Sequence, residues 1–153
     1  MLTTPSLITT TAQPFACIHL IIPRQDMGRM MDPAIQEVLQ VMAAEGVRPA
    51  GPLVCLHNRR PTDTFDFLIG FPVAQRITEQ GRVRNGELPA VTVVRAEHQG
   101  PYEHLASAWQ QLQTWVQAQQ LNTTERFWEA YLNDPSTVAG PLDYRTELNW
   151  VVA

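Results

Sequence analysis

From Pro14 to Pro23 two sets of residues alternate, Phe15, Cys17, His19 and Ile21 with Ala16, Ile18, Leu20 and Ile22, and nearly every position is apolar. A run that is apolar on both sets predicts a central strand covered on both faces. The period then changes. Asp32-Pro33 predicts a helix start, with Asp as cap and Pro at the first helical position. Ile35, Val38, Leu39 and Met42 follow at helical spacing as one apolar stripe, and Gly46 supplies a left-handed end cap. Pro52 to His57 reads as a short strand, Arg60-Pro61 as a turn, and Phe65 to Val73 as another strand.

After a connector at Gln80 to Gly86, marked by Gly81 and Asn85-Gly86, the same order returns. Pro89 to Arg95 predicts a valine-rich strand. Gly100-Pro101 opens a second helix with Leu105, Ala108, Trp109, Leu112, Trp115 and Val116 on its apolar face. Asn122 takes the capping place that Gly46 holds in the first half. Phe127 to Leu132 is a strand, Asn133-Asp134-Pro135 a turn, and Tyr144 to Val152 the closing strand. The pattern predicts an α+β fold of two pseudo-symmetric strand–helix–strand–strand units, about 14–74 and about 88–153, in one domain over 1–153. Antiparallel sheets are backed by two helices, and their exposed faces meet in a central cleft. Ile35, Val38, Leu39, Met42, Leu105, Trp109, Leu112 and Val116 are the expected helix contributions to the core.

Composition narrows the classes. With 153 residues, 44% hydrophobic and 17% charged, the chain suits one globular domain with a real core. Net charge is −4, and the basic residues, all arginine, are scattered. Direct nucleic-acid binding is therefore not expected. No stretch is long and apolar enough for a membrane span and no targeting segment is visible, so the expected location is cytoplasmic. Cys17 and Cys55 sit in apolar strands as small hydrophobes. Without a Cys/His cluster no metal is expected, and no cofactor either.

Aromatics crowd the second half. Period-two alternation puts Phe127, Glu129 and Tyr131 on one strand face. Glu129 between two aromatics has two readings. It lies at an exposed edge, in water or paired with a residue such as Arg145, or it is a carboxylate on the floor of an aromatic cleft. The second attracts organic cations through charge and cation–π contact, and serves as a general base if its pKa is raised. His98 and His104 read as surface residues near a helix start.

The motifs His98-Gln99-Gly100-Pro101-Tyr102-Glu103-His104-Leu105, Trp128-Glu129-Ala130-Tyr131-Leu132-Asn133-Asp134-Pro135 and Arg145-Thr146-Glu147-Leu148 resemble, in order and spacing, signatures of the GyrI-like effector-binding family. Ala50-Gly51-Pro52, Ile69-Gly70-Phe71-Pro72-Val73 and Leu88-Pro89-Ala90 extend the resemblance over most of the chain. It implies a ligand cleft with a functional acid at Glu129. Strand alternation adds Tyr131 to that cleft, and the aromatic content together with the family cleft gives Tyr102, Phe67, Trp109, Trp150 and Glu147 as the expected neighbours. The chain departs from the family's regulators in having no room for a helix-turn-helix segment, so a stand-alone effector domain is expected. Where relatives are expected to carry an acid this chain has Leu68, which predicts a different ligand choice.

Three functions follow, in order of preference. The first is binding of amphipathic, cationic or aromatic small molecules for sensing or sequestration. The second is a small hydrolase of strained or electrophilic, cyclopropane-bearing compounds, with Glu129 and Tyr131 as catalytic groups. The third is a protein-interaction role, such as inhibition of DNA gyrase. A homodimer is compatible with all three.

Overall fold

The computed structural model describes residues 1–153. Eight strands and two long helices form in the order β1 (Ser6–Thr9), β2 (Gln13–Pro23), α1 (Met27–Ala44), β3 (Leu53–His57), β4 (Thr64–Pro72), β5 (Arg84–Leu88), β6 (Thr92–Gln99), α2 (Leu105–Ala118), β7 (Thr123–Tyr131) and β8 (Arg145–Val152). All neighbours are antiparallel, in the order β1-β6-β8-β7-β3-β4-β2-β5. Exchanging each strand for its counterpart in the other half reverses this order onto itself. The α+β class and the two pseudo-symmetric units are thus present, but as one sheet. The two halves join where β3 pairs with β7, Cys55 opposite Glu129 and His57 opposite Phe127.

Two short strands went unread in the sequence. β5 lies in the expected connector, and β1 in the first eleven residues; four to five residues with mixed burial leave little periodicity to detect. They have a shared role. Ser6 to Thr9 pair with Arg95 to Thr92, and Gln13 to Cys17 pair with Leu88 to Arg84. The register is the same on both sides of residues 10–12 and 89–91. Thr10 holds the corner: its N–H donates to the Val91 carbonyl at 2.8 Å and its hydroxyl to the Pro89 carbonyl at 2.7 Å. Each half therefore lends its first strand to the other, and the ribbon joins the two ends of the sheet.

Both helices cover one face of this curled sheet. Beneath α1 lie Ala16, Ile18, Leu20, Phe67 and Ile69, packed on Ala34, Val38, Val41 and Met42. Beneath α2 lie Val94, Ala96, Leu148 and Trp150, packed on Ala108, Leu112 and Val116. The inner face is filled by Phe15, Cys17, Val54, Leu56, Val93, Trp128, Ala130 and Val151. The cleft hence lies between the helices on the outer face, not between exposed sheet faces.

Local corrections have plain causes. α1 begins at Met27, not at Asp32-Pro33, so Pro33 is inside the helix. It falls early, where one lost backbone hydrogen bond is tolerable, and its ring points to solvent on an exposed position. The stripe correspondingly includes Ala34 and Val41, while Ile35 and Leu39 are only half-buried. Gly46 does end α1, at φ +68°, and the N–H of Val47 donates to the Met42 carbonyl. In the second half the left-handed residue is Gln120, at φ 56°, and not Asn122. The N–H of Leu121 reaches the Val116 carbonyl, so hydrogen bonding imposes the geometry on a residue that does not favour it. β6 starts at Thr92 rather than Pro89, because 89–91 form the ribbon corner. His98 is buried, 5% exposed, under α2 rather than at the surface. No helix is long and apolar enough to cross a membrane.

Candidate functional site

Between the first residue of α1, Met27, and the α2 face of Leu105, Trp109 and Gln113, the outer face of the sheet stays partly open. A cleft of about 840 Å³ lies there, over the β3–β7 junction. Its floor follows from strand register. Phe127 sits between Trp150 on β8 and His57 on β3, and His57 is followed by Phe67 on β4. The His57 ring lies 4.5 Å from Phe127 at 6° and 5.4 Å from Phe67 at 25°, so three rings stack across three strands. Trp109 descends from α2 and meets Phe127 edge-on at 4.9 Å and Trp150 at 6.4 Å.

Glu129 occupies the next row, with Cys55 and Leu148 as its cross-strand neighbours. Its two oxygens take different partners. The indole N–H of Trp109 donates to Oε2 at 2.7 Å, and the Tyr131 hydroxyl donates to Oε1 at 2.8 Å. Burial raises the carboxyl pKa above the usual range, and these two hydrogen bonds pull it partly back. The remaining exposure of Glu129 opens into the cleft. Burial and the neighbouring Cys55 and Glu129 hold Tyr131 far above the ordinary phenol range. Cys55 is sealed and its thiol is pushed up to about 12, which leaves it a small hydrophobe, as is Cys17. Arg145, offered as a partner of Glu129, pairs instead with Glu97.

Of the residues expected from the sequence, Glu129, Tyr102, Trp109 and Trp150 line the cleft. Tyr131 stands behind Glu129, and Tyr102 touches it edge-on at 5.7 Å while stacking on Tyr144 at 4.6 Å. Phe67 is fully buried and supports the floor from below through His57. Glu147 is separated from this set. It pairs across from Ala130 on the inner face, 3.4 Å from Arg95 at the mouth of a second hollow of about 400 Å³. Leu68 packs on the inner-face cluster and does not line this cleft.

The structure adds residues the sequence did not single out. His57 is 5% exposed and lines the cleft, burial holds its pKa down to about 4, and its Nδ1 has no hydrogen-bond partner. The only signal was a histidine at even spacing in an apolar strand. Phe65, Phe127, Leu105 and Gln113 complete the walls, and Arg24 and Arg60 stand at the rim. No group of three His, Cys, Asp or Glu is placed to hold a metal.

The fold is shared with solved structures of low sequence identity. The EcmrR C-terminal domain superposes with a TM-score of 0.83 at 21% identity, over 98% of this chain and 97% of that domain. SAV2435 bound to tetraphenylphosphonium gives 0.72 at 12%, over 99% and 94%. A hydrolase from Listeria innocua gives 0.71 at 16%, over 97% and 91%. Against EcmrR in its DNA complex, the chain spans 57% of that protein's length, with a TM-score of 0.81 at 21% identity over 97% of this chain. No curated protein matches it in sequence. The model of the GyrI-like small-molecule-binding domain matches residues 3–152, and this small-molecule-binding chain belongs to that family.

Proposed function

We propose that the cleft binds amphipathic aromatic cations, with Glu129 as the counter-charge and Trp109, Phe127, Trp150 and Tyr102 as the apolar walls. The observation that carries this reading is the Glu129 carboxylate, held by Trp109 and Tyr131 and open only to an aromatic cleft. Both of its bonds are donated to it, which favours the ionised form against the pull of burial. A delocalised cation suits such a place, because its own hydration is weak and ring faces attract it. The size of the cleft matches drug-sized ligands. SAV2435, which shares the fold, was solved with such a cation.

Tetraphenylphosphonium and cationic dyes are the probes. Glu129→Gln keeps the shape and removes the charge, so affinity should fall ten- to a hundredfold, corresponding to roughly 1–3 kcal/mol for a desolvated charge contact. A neutral aromatic of similar size should be nearly unaffected. Protonation of Glu129 has the same effect as the substitution. Wild-type cation affinity should therefore decline on acidification from a pH above the ordinary glutamate range, and Glu129→Gln should lack that step. Cation affinity indifferent to the substitution would sink the reading.

A second reading, hydrolysis, is favoured by the raised pKa of Glu129. Here Glu129 accepts a proton from water attacking a strained or ester carbon and returns it to the departing group. Its signature is product formation that Glu129→Gln abolishes while substrate binding survives.

A further inference from the structure

We infer that the preferred ligand is zwitterionic, an aromatic cation that also carries a carboxylate or phosphate on the side turned to the rim of the cleft. The inference rests on the cleft reading above and follows from the charges of the whole lining. Three lining residues are charged, and only Glu129 is negative. Arg60 and Arg24 are the other two, and neither forms an ion pair with any carboxylate of the chain.

Neither arginine is turned away from the cleft. The Arg60 guanidinium stands over the Trp150 ring at 5.3 Å, and the Arg24 guanidinium over Phe65 at 5.4 Å. One Arg24 nitrogen is further tied to the Thr62 carbonyl at 3.0 Å. The Arg60 guanidinium donates no hydrogen bond within the chain and that of Arg24 only this one, so N–H donors remain that can grip carboxylate or phosphate oxygens in pairs. With Glu129 ionised, the lining still carries a net positive charge. A simple cation satisfies the floor and is opposed at the rim. It must also compete with Arg60 for the face of Trp150. A ligand with an acidic group at its outer end satisfies both.

Strand register sets the order. Trp150 lies one pleat repeat from the row of Glu129, and Phe65 one further repeat along β4. Along the strands from Glu129, a ligand therefore meets Trp150 with Arg60 first and Phe65 with Arg24 beyond it.

Rhodamine 110 and its methyl ester, rhodamine 123, test this directly. They share one cationic chromophore, and only the first has a free carboxylate. Titration by fluorescence anisotropy would compare wild type, Arg60→Gln, Arg24→Gln and Glu129→Gln. Wild type should bind rhodamine 110 about fivefold more tightly than rhodamine 123, the scale of a partly exposed charge-assisted pair. Arg60→Gln should reverse the order, weakening rhodamine 110 and strengthening rhodamine 123. Arg24→Gln should act in the same direction less strongly. Equal affinities in wild type, or an order that Arg60→Gln leaves alone, would overturn the inference while leaving the cation cleft standing. Failure of Glu129→Gln to weaken either dye would instead overturn the cleft reading beneath it.

Discussion

The ground beneath α1 and the ground beneath α2 are built on one plan and used differently. Fourteen buried residues form the cluster under α1, against seven under α2. Under α1 the contributors are mostly aliphatic, Ala, Val, Ile, Leu and Met around the single fully buried ring of Phe67. Under α2 the sequence supplies Trp109, Trp115, Phe127 and Trp150, and Trp109 meets Phe127 and Trp150 edge-on beside the cleft. The same strand–helix–strand–strand frame thus yields a sealed core in one half and most of a cleft in the other. The first half still contributes to that cleft, through His57, Phe65 and the two rim arginines. The lesson is that pseudo-symmetry fixes where a cleft can form, and side-chain shape decides which half furnishes it.

The sealed half is most vulnerable at Gly70. A Cβ there would lie 1.8 Å from the Ala16 carbonyl oxygen and 2.7 Å from the Cys17 Cα. Both are backbone atoms of a paired strand and cannot yield. Gly70→Ala should cost about 4 kcal/mol or more, read as loss of a cooperative thermal transition. A variant that melts like wild type would show that the sealed half has slack.

Next come matched truncations. Met42 and Leu112 are both buried, one under each helix. Each change to alanine should cost about 2–5 kcal/mol in chemical denaturation. Only Leu112→Ala should also weaken tetraphenylphosphonium binding, since α2 carries Trp109 and through it orients Glu129. Equal effects of both truncations on affinity would erase the distinction between the halves.

The smallest expected effect concerns acid stability and His57. In the unfolded chain this imidazole titrates near 6.5, and burial lowers the folded value to about 4. Between these values the unfolded chain takes up a proton that the folded one refuses, so stability falls as pH drops from 6.5 toward 4. The loss amounts to roughly 2–3 kcal/mol and should vanish in His57→Phe, which keeps a ring in the stack. Denaturation midpoints at pH 7 and pH 4.5 for both proteins measure it. An identical acid loss in the variant would place the sensitivity elsewhere.

Much of this molecule was legible before folding. The long strands and both helices announced themselves through period, and Glu129 stood out as a charge on an otherwise aromatic strand face. The family motifs indicated its cleft setting. The parts that escaped share a cause. β1 and β5 are too short to show a period, and their pairing is with residues some eighty positions away. Pro33 and Asn122 suggested caps by residue type, but packing carried α1 back to Met27 and hydrogen bonding put the left-handed turn at Gln120.

The element order, the repeat and the place of Glu129 on an aromatic strand face can be read along the chain, because periodicity and composition are properties of neighbours in sequence. Tertiary structure alone decided which residues share a surface. It separated Glu147 from Glu129, which differ by one sheet face, and it recruited His57, Arg24 and Arg60 from the other half. It also gave Glu129 its raised pKa, with Trp109 reaching it from a helix. The physical reason is that desolvation and charge act through space over a few ångströms, and distance along a folded chain carries no record of distance through space.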